Sequence, residues 1–184
     1  MKYELTEETK VYCDRILHRI KAIKNFNDVK AGDLGGWIEQ ENNLSQNGNA
    51  WVYGDALVYG NAWVYGDALV YGNAKVYGDA WVYGDAKVCG DAKVCGDAKV
   101  YGDAKVCGDA KVSGDADYIV FKNWWSSGRC FTWTRTNNKW RVGCFYGSGD
   151  DLIKKAYADS EQSGREYERI VRYVEQILSA NVDK

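Results

Sequence analysis

The feature that most constrains this chain is a six-residue repeat in its centre. Between Ala50 and Asp115, eleven copies of the pattern Ala-x-Val-Tyr/Cys/Ser-Gly-Asp/Asn follow one another without an insertion. Ala and Val stand two positions apart, so they point to the same side of a short strand. Glycine permits the unusual backbone angle of a corner, and Asp or Asn tolerates the turn that follows. Each copy is therefore a short strand plus a corner, and it can bury its Ala/Val side only against other copies.

The copies resemble the hexapeptide repeat of left-handed parallel β-helices, as in Val52-Tyr53-Gly54-Asp55-Ala56. The resemblance implies a left-handed coil with three copies per turn, and hence a mainly β protein with about four coils around a Val/Ala interior. We expect an N-terminal β cap over residues 1–37, the β-helix over 38–117, and a small C-terminal domain of a β-meander and two helices over 118–184.

With three copies per coil, residues 18 positions apart stack about 4.8 Å apart and form outward rows. The first face carries Trp51 and Tyr53 with the residues that stack on them, and the second carries Leu57 and Tyr59 with theirs. The third face is the most aromatic, with Trp63, Tyr65, Trp81, Tyr83 and Tyr101. Such a row is a large apolar patch. It is either a solvated stack, an interface with a second copy or with the chain's own termini, or a surface for a ligand ring or base; we predict a partner or self-interface.

The segments before the repeat contain no clean copies of it. Residues 15–23 alternate enough for a strand, although a helix stays open. Residues 28–38 are glycine-rich but lack the pattern of a phosphate-binding loop, so we expect them to cap the open end of the interior. His18, the single histidine, is expected to be structural.

After the repeat, the pattern predicts a β-meander with strands over 118–121, 130–134 and 140–146, and turns over 126–128 and 137–138. Two helices follow. Ser148 with Asp151, and Ser163 with Glu166, fit capping boxes at their starts. The second helix places a stripe of apolar residues on one side, which should pack on the meander: Tyr167, Ile170, Val171, Val174, Ile177 and Leu178.

The basic charge is concentrated in the C-terminal part. The formal charges of residues 1–49, 50–117 and 118–184 are -1, -4 and +3, and residues 118–141 contain five bases and no acid. Bases interleaved with aromatic residues on strands are typical of nucleic-acid binding. The alternative is a small sheet with its rings in the core and its bases in solvent. The predicted nucleic-acid or partner site comprises Lys122, Trp124, Trp125, Arg129, Trp133, Arg135, Lys139 and Arg141.

The sequence gives little support to catalysis. Hexapeptide-repeat acyltransferases use a histidine base near a coil edge, whereas residues 50–115 contain no histidine. No cysteine or histidine cluster has metal-ligand spacing, so we predict no catalytic residue, no metal and no cofactor. The chain begins without a secretion signal and contains no membrane-spanning run, which predicts a cytoplasmic protein with six reduced cysteines.

The whole chain also resembles small hexapeptide-repeat proteins of bacteriophages and bacterial mobile elements. The segments that carry the likeness are NDVKAGDLGGWIE at 27–39, NLSQNGNA at 43–50 and GCFYG at 143–147. In length and layout it is similar to Cas9-inhibiting anti-CRISPR proteins. The resemblance implies a non-enzymatic counter-defence factor that binds a CRISPR nuclease of the Cas9 type, its DNA, or both, in the bacterial cytoplasm. A homodimer, a self-assembling scaffold and, less favoured, an acyltransferase are the alternatives.

Overall fold

The computed structural model describes residues 1–123 and 127–180. The first three strands are β1 (Tyr3–Tyr12), β2 (Arg15–Ala22) and β3 (Leu34–Ile38). Eleven two-residue strands, β4 to β14, follow at Trp51–Val52, Leu57–Val58, Trp63–Val64, Leu69–Val70, Lys75–Val76, Trp81–Val82, Lys87–Val88, Lys93–Val94, Lys99–Val100, Lys105–Val106 and Lys111–Val112. The remaining elements are β15 (Tyr118–Lys122), β16 (Cys130–Thr134), β17 (Lys139–Val142), β18 (Phe145–Gly147), α1 (Gly149–Asp159) and α2 (Glu161–Ala180). Short 3₁₀ turns lie at Glu41–Asn43 and Asp115–Asp117.

The two-residue strands form a parallel solenoid in which residues 18 apart are partners. Strand β4 pairs with β7, β7 with β10 and β10 with β13, which makes the first face. The second face is β5-β8-β11-β14, and the third is β6-β9-β12. The predicted mainly β solenoid of about four coils is therefore confirmed, and each outward row contains the residues that the spacing assigned to it. The left-handed sense stays a prediction from the resemblance.

The interior of the solenoid is built from valine and alanine alone over the repeat. All eleven repeat valines are fully buried, and the eleven repeat alanines are buried almost completely. Amide groups of one coil donate to carbonyl oxygens of the next, for example Trp63 N to Ala80 O at 2.9 Å and Tyr65 N to Val82 O at 3.0 Å. Burying a valine contributes about 1.5–3 kcal/mol, and the inter-coil bonds satisfy the buried backbone. Each coil therefore depends on its neighbours both to bury its valines and to satisfy its backbone hydrogen bonds.

The N-terminal segment closes the first end of this interior. Strands β1 and β2 form an antiparallel hairpin, and β3 joins β2 to β5 of the second face. Residues 15–22 are thus a strand, and the glycine-rich segment lies over the first coil as expected. A Cβ atom at Gly36 would meet Val52 Cγ1 at 2.6 Å, so this backbone rests directly on the interior and only glycine fits.

Lys2 is buried in the same cap. Its Nζ donates to the carbonyl oxygen of Ala50 at 2.7 Å and lies 5.2 Å from the centre of the Phe26 ring. Burial, reinforced by the charge of Lys24, lowers the pKa of Lys2 from 10.5 to about 8. The lysine closes the end of the solenoid with its aliphatic stem and satisfies an open carbonyl with its amine.

Because residues 18 positions apart are neighbours in adjacent coils, two cysteines of the repeat form a disulfide. Cys89 and Cys107, on the first face, are bonded, with their Cα atoms 4.5 Å apart. The expectation that all six cysteines are reduced is therefore wrong for this pair in the structure. The lack of a secretion signal predicts reduced thiols. The parallel register, however, brings these two thiols within bonding reach. Four cysteines are free thiols, namely Cys13, Cys95, Cys130 and Cys144.

The C-terminal part is a four-stranded sheet with the order β15-β16-β17-β18, followed by the two helices. The predicted strand over 140–146 is wrong in one respect. Gly143, with a φ of 57°, turns the chain, and the segment becomes the hairpin β17–β18. The ring of Tyr167 on α2 meets Phe131 of β16 edge-on at 4.6 Å, so the apolar side of the helix packs on the sheet as expected.

One of the two predicted helix starts is correct. The Ser148 side chain accepts a hydrogen bond from the backbone amide of Asp151, and α1 begins at Gly149. The second is displaced, because α2 begins at Glu161 and places Ser163 inside the helix. Ser160 takes its role, since its Oγ accepts from the Ser163 amide at 3.1 Å.

The chain divides into two compact units. The first comprises Met1–Ile119 with Thr134–Asn137, and the second comprises Val120–Trp133 and Asn138–Lys184 so far as they are described. The division into segments 1–37, 38–117 and 118–184 stays a prediction. None of the helices formed by the described residues has the length and apolar character needed to cross a membrane.

Stacked corner glycines provide a matched stability test. Gly84 and Gly102 both have positive φ, 69° and 62°, but a Cβ at Gly84 would lie 3.0 Å from Gly102 N while one at Gly102 meets nothing within 4 Å. We expect Gly102→Ala to cost about 1–2 kcal/mol for its backbone angle. Gly84→Ala should cost at least about 1 kcal/mol more because it also crowds the next coil. Urea unfolding of both variants measures the difference; equal losses would contradict the inter-coil packing.

The buried lysine predicts a pH dependence. Between pH 8 and pH 10 the unfolded chain keeps a proton on Lys2 that the folded chain has lost, so the free energy of unfolding should rise with pH. Above pH 10 it should fall, because burial raises the pKa values of Tyr3, Tyr59 and Tyr118 and these ionise first in the unfolded chain. The variant Lys2→Met should lose the rise and keep the fall. A wild-type curve that is flat from pH 8 to pH 10 in denaturant titrations would show that Lys2 is not buried as described.

Candidate interaction surfaces

The N-terminal segment covers the aromatic rows of two solenoid faces. On the first face, Trp51 is buried, with Tyr3 and Phe26 packed edge-on at centroid distances of 6.1 and 5.2 Å. On the second face, Tyr12 at the end of β1 packs on Tyr59 at 5.7 Å. An interface with the chain's own terminus, one of the roles left open by the sequence, therefore exists on these two faces.

Around Tyr59 the covering is polar as well as apolar. Arg15 forms a salt bridge with Glu39 at 2.8 Å, and its guanidinium lies 5.9 Å from the Tyr59 ring. Tyr59 stacks on Tyr77 at 5.1 Å, and the hydroxyl of Tyr12 accepts from Lys75 Nζ at 2.9 Å. A hydrogen bond with Cys95, followed by burial, raises the pKa of Tyr77 to about 12. The polar groups lining the 350 Å³ depression at this place include bonded partners of one another, which is typical of a structural seam.

The third-face row remains exposed. We use this name for Trp63, Tyr65, Trp81, Tyr83 and Tyr101. Trp63, Trp81 and Tyr101 are 38%, 39% and 51% exposed. The three tyrosines stack along the solenoid, with centroids 4.8 and 5.3 Å apart and planes within 14° of parallel. Trp63 stacks on Tyr65 at 4.0 Å and meets Trp81 edge-on at 6.0 Å. The rings hold one another in place, so the row is an ordered aromatic surface.

A depression opens beside the first ring of this row. The backbone amide of Ser45 donates to the carbonyl oxygen of Val64 at 2.9 Å, and Leu44 pairs with Val64 in parallel, so Ser45 stands at the position that Tyr65 has in the next coil. An open space of about 480 Å³ lies against Trp63 and Trp81, and Ser45 also lines it. Glu41, Asn42 and Asn61 line its other sides. The site is not predicted from the sequence, because the pairing of Leu44 with Val64 departs from the 18-residue register of the repeat.

Acidic corners border the third-face row on both sides. The corner before it carries Asn61, Asp79 and Asp97, and the corner after it carries Asp67, Asp85 and Asp103. Asp79 Oδ1 accepts from the amide of Asn61 at 2.9 Å, and Asp67 Oδ1 from that of Asn49 at 2.8 Å. Among the described residues, no lysine or arginine forms a salt bridge with Asp67, Asp79 or Asp85. The row's own cation is Lys99, whose Nζ lies 5.3 Å from the centre of the Trp81 ring.

The predicted basic and aromatic site is only partly a surface. Trp133 is buried, and its Nε1 donates to Asn138 Oδ1 at 2.8 Å, so this ring is core, as the alternative interpretation held. Lys122 and Arg129 are exposed, and Lys139 and Arg141 are half-buried. Arg135 is exposed but belongs to the first unit. Trp124 and Trp125 lie outside the described residues.

Arg129 contributes to a small cavity within the second unit. The cavity, about 220 Å³, has an apolar floor that includes Phe145 and Leu152, and Lys155 and Asp159 also line it. Arg129 donates to the hydroxyl of Tyr167 at 3.3 Å. Arg129 is therefore partly engaged within its own unit and is not only a solvent-facing base.

His18 contacts the backbone of the neighbouring strand. It lies on β2, half-buried, with Nδ1 3.4 Å from the carbonyl oxygen of Thr6 on the neighbouring strand. Within residues 1–123 and 127–180, no three His, Cys, Asp or Glu side chains come together in a way that could hold a metal ion.

Comparison with known proteins supports the solenoid. Residues 50–66 and 68–84 match the family model described as YdcK beta solenoid repeat. The chain is also 43% identical over 60 residues to a protein of Escherichia coli (strain K12) named "Uncharacterized acetyltransferase YdcK". That alignment covers 28% of this chain and 18% of the relative, so the chain matches less than a fifth of the relative's length. The family match lies in the repeat and concerns the β-solenoid.

Proposed function

We propose that this protein is a binding protein that holds a macromolecular partner on its third-face row. One observation carries the proposal: the N-terminal segment covers Trp51 on the first face and Tyr59 on the second, while Trp63, Trp81 and Tyr101 on the third stay exposed. Exposed, contiguous aromatic patches are typical of interaction sites. Tryptophan and tyrosine are also the residues that most often dominate interface energies.

The row suits binding because it is ordered before the partner arrives. Its rings stack on one another and stand on two-residue strands whose backbone is bonded to the coils on either side. Little side-chain entropy is then lost on association, and more of the contact energy appears as affinity. Binding of this kind requires no group that moves a proton.

Removing the two indole rings tests the proposal. Trp63→Ala with Trp81→Ala removes ring contacts worth about 0.5–1.5 kcal/mol each, so the protein should be somewhat less stable but still folded. The variant should weaken partner binding at least about tenfold. The matched control is Tyr173→Ala, an exposed aromatic residue of α2 that should have no effect. Quantitative co-purification from the producing cell, confirmed with the purified partner, gives the readout. Binding that survives in the double variant would contradict the proposal.

A finer hypothesis is that the partner is a CRISPR nuclease of the Cas9 type and that the protein acts as a counter-defence factor. What supports it is the resemblance to small hexapeptide-repeat proteins of phages, together with exposed bases on Lys122, Arg129 and Arg135 that suit phosphates. A protein of this kind would act by occupying the nuclease or its DNA path.

Charge reversal tests this hypothesis. The protein should inhibit DNA cleavage by a Cas9–guide complex, and Arg129→Glu with Arg135→Glu should reduce binding to the complex or to DNA by about tenfold, since two phosphate contacts become repulsive. Arg165→Glu with Arg169→Glu, the same reversal of charge at two exposed α2 residues, is the control and should leave binding unchanged. Unchanged cleavage in the presence of excess protein would exclude the nuclease as the partner.

An acetyltransferase is the second candidate, favoured by the name of the E. coli relative. Against it, the repeat coils contain no histidine, and His18 faces a backbone carbonyl. Incubation with acetyl-CoA and amine or hydroxyl acceptors should give no thiol release above background. Turnover that depends on His18 would overturn the non-enzymatic proposal. A self-assembling scaffold would instead show light scattering that grows with protein concentration.

A further inference from the structure

We infer that the third-face row recognises an arginine-rich basic segment of its partner. The inference rests on the proposed function, because it assigns a chemical class to the partner of the same surface. It joins two features of the first unit that lie side by side: exposed indole rings and corner aspartates, of which Asp79 and Asp85 form no salt bridge among the described residues. Cations stack on indole faces, and the guanidinium does so best because it is planar and weakly hydrated.

The third face has the fewest lysines at its outward strand positions. These positions carry Lys87 and Lys105 on the first face and Lys75, Lys93 and Lys111 on the second, whereas the third has Lys99 alone. Five aspartates stand on the two corners that border the third face. A cation approaching the row therefore meets an attractive field from both sides.

The depression beside Trp63 provides a binding position for one arginine side chain. It is lined by the two indoles and by Glu41, with Asn42 and Asn61 as neutral hydrogen-bond partners. A guanidinium could stack on an indole and donate two parallel hydrogen bonds to the Glu41 carboxylate. Lys99 over Trp81 shows the same cation–ring contact made within the chain.

The same charges disfavour the other occupants of such a surface. A nucleic acid stacking its bases here would bring its phosphates against Asp79 and Asp85. A second copy docking face to face would set acidic corner against acidic corner, since both borders of the row are acidic. A basic peptide alone gains from both the rings and the corners.

The test uses the full chain and a synthetic (Gly-Arg)5 peptide. Calorimetry should detect binding that weakens with salt, and the indole N–H signals of Trp63 and Trp81 should shift on titration. A (Gly-citrulline)5 peptide, which keeps the shape and loses the charge, should bind at least about tenfold more weakly.

Matched variants locate the site. Trp63→Ala with Trp81→Ala should weaken peptide binding about tenfold. Asp79→Asn with Asp85→Asn should weaken it about threefold or more and flatten its salt dependence. Asp55→Asn with Asp91→Asn makes the same change in net charge at the corner between the first and second faces and should alter binding less than twofold.

Three results would overturn the inference: equal binding of the citrulline peptide, tighter binding of a ten-residue oligothymidylate than of (Gly-Arg)5, or a dimer in sedimentation that the double tryptophan variant dissolves. The two proposals fail separately. If the double tryptophan variant loses its cellular partner but the wild-type protein does not bind (Gly-Arg)5, only the basic-segment assignment is wrong. If the variant keeps its partner, the binding surface itself is wrong.

Discussion

Everything in the first unit depends on the 18-residue register between coils. It places valine on valine and alanine on alanine in the interior, and it lets each coil's amides donate to the next coil's carbonyls. The same register sorts the outward residues into rows, so aromatic side chains that are scattered along the chain become one continuous surface. It also explains the Cys89–Cys107 bond, which needs the two residues to be neighbours across coils.

The third-face row differs from the aromatic residues of the other two faces because the N-terminal segment does not cover it. A parallel solenoid has an open end, and the hairpin β1–β2 with the segment up to β3 closes it. In doing so this segment lies over Trp51 on one face and over Tyr59 on the next. The third face receives no such cover from the N-terminal segment, and five aspartates stand on its two corners. Aromatic residues thus pack under the N-terminal segment on two faces and form the proposed binding surface on the third.

The periodic parts of this structure were readable from the sequence, and the parts set by tertiary context were not. The interior, the rows and the strand β2 follow from spacing, because burial of a period-two or 18-residue pattern leaves little choice. Trp133 reads as a surface ring beside its bases, but the ring is buried and its Nε1 donates to Asn138 Oδ1. The start of α2 at Glu161 depends on which serine caps the helix. The turn at Gly143 depends on which glycine adopts a positive φ. The depression beside Trp63 is lined by Leu44 and Ser45, which lie outside the repeat and pair out of its 18-residue register.

The central claim is that register aligns Trp63 and Trp81 on one exposed face, and paired cysteines test it directly. In Trp63→Cys with Trp81→Cys, both new thiols should react with maleimide in the folded protein, and mild oxidation should join them, because β6 and β9 pair in parallel. Trp63→Cys with Leu69→Cys, six residues apart on different faces, should label but not cross-link within one chain. Peptide mapping that finds the 63–69 bond, or thiols at 63 and 81 that neither label nor join, would contradict the account.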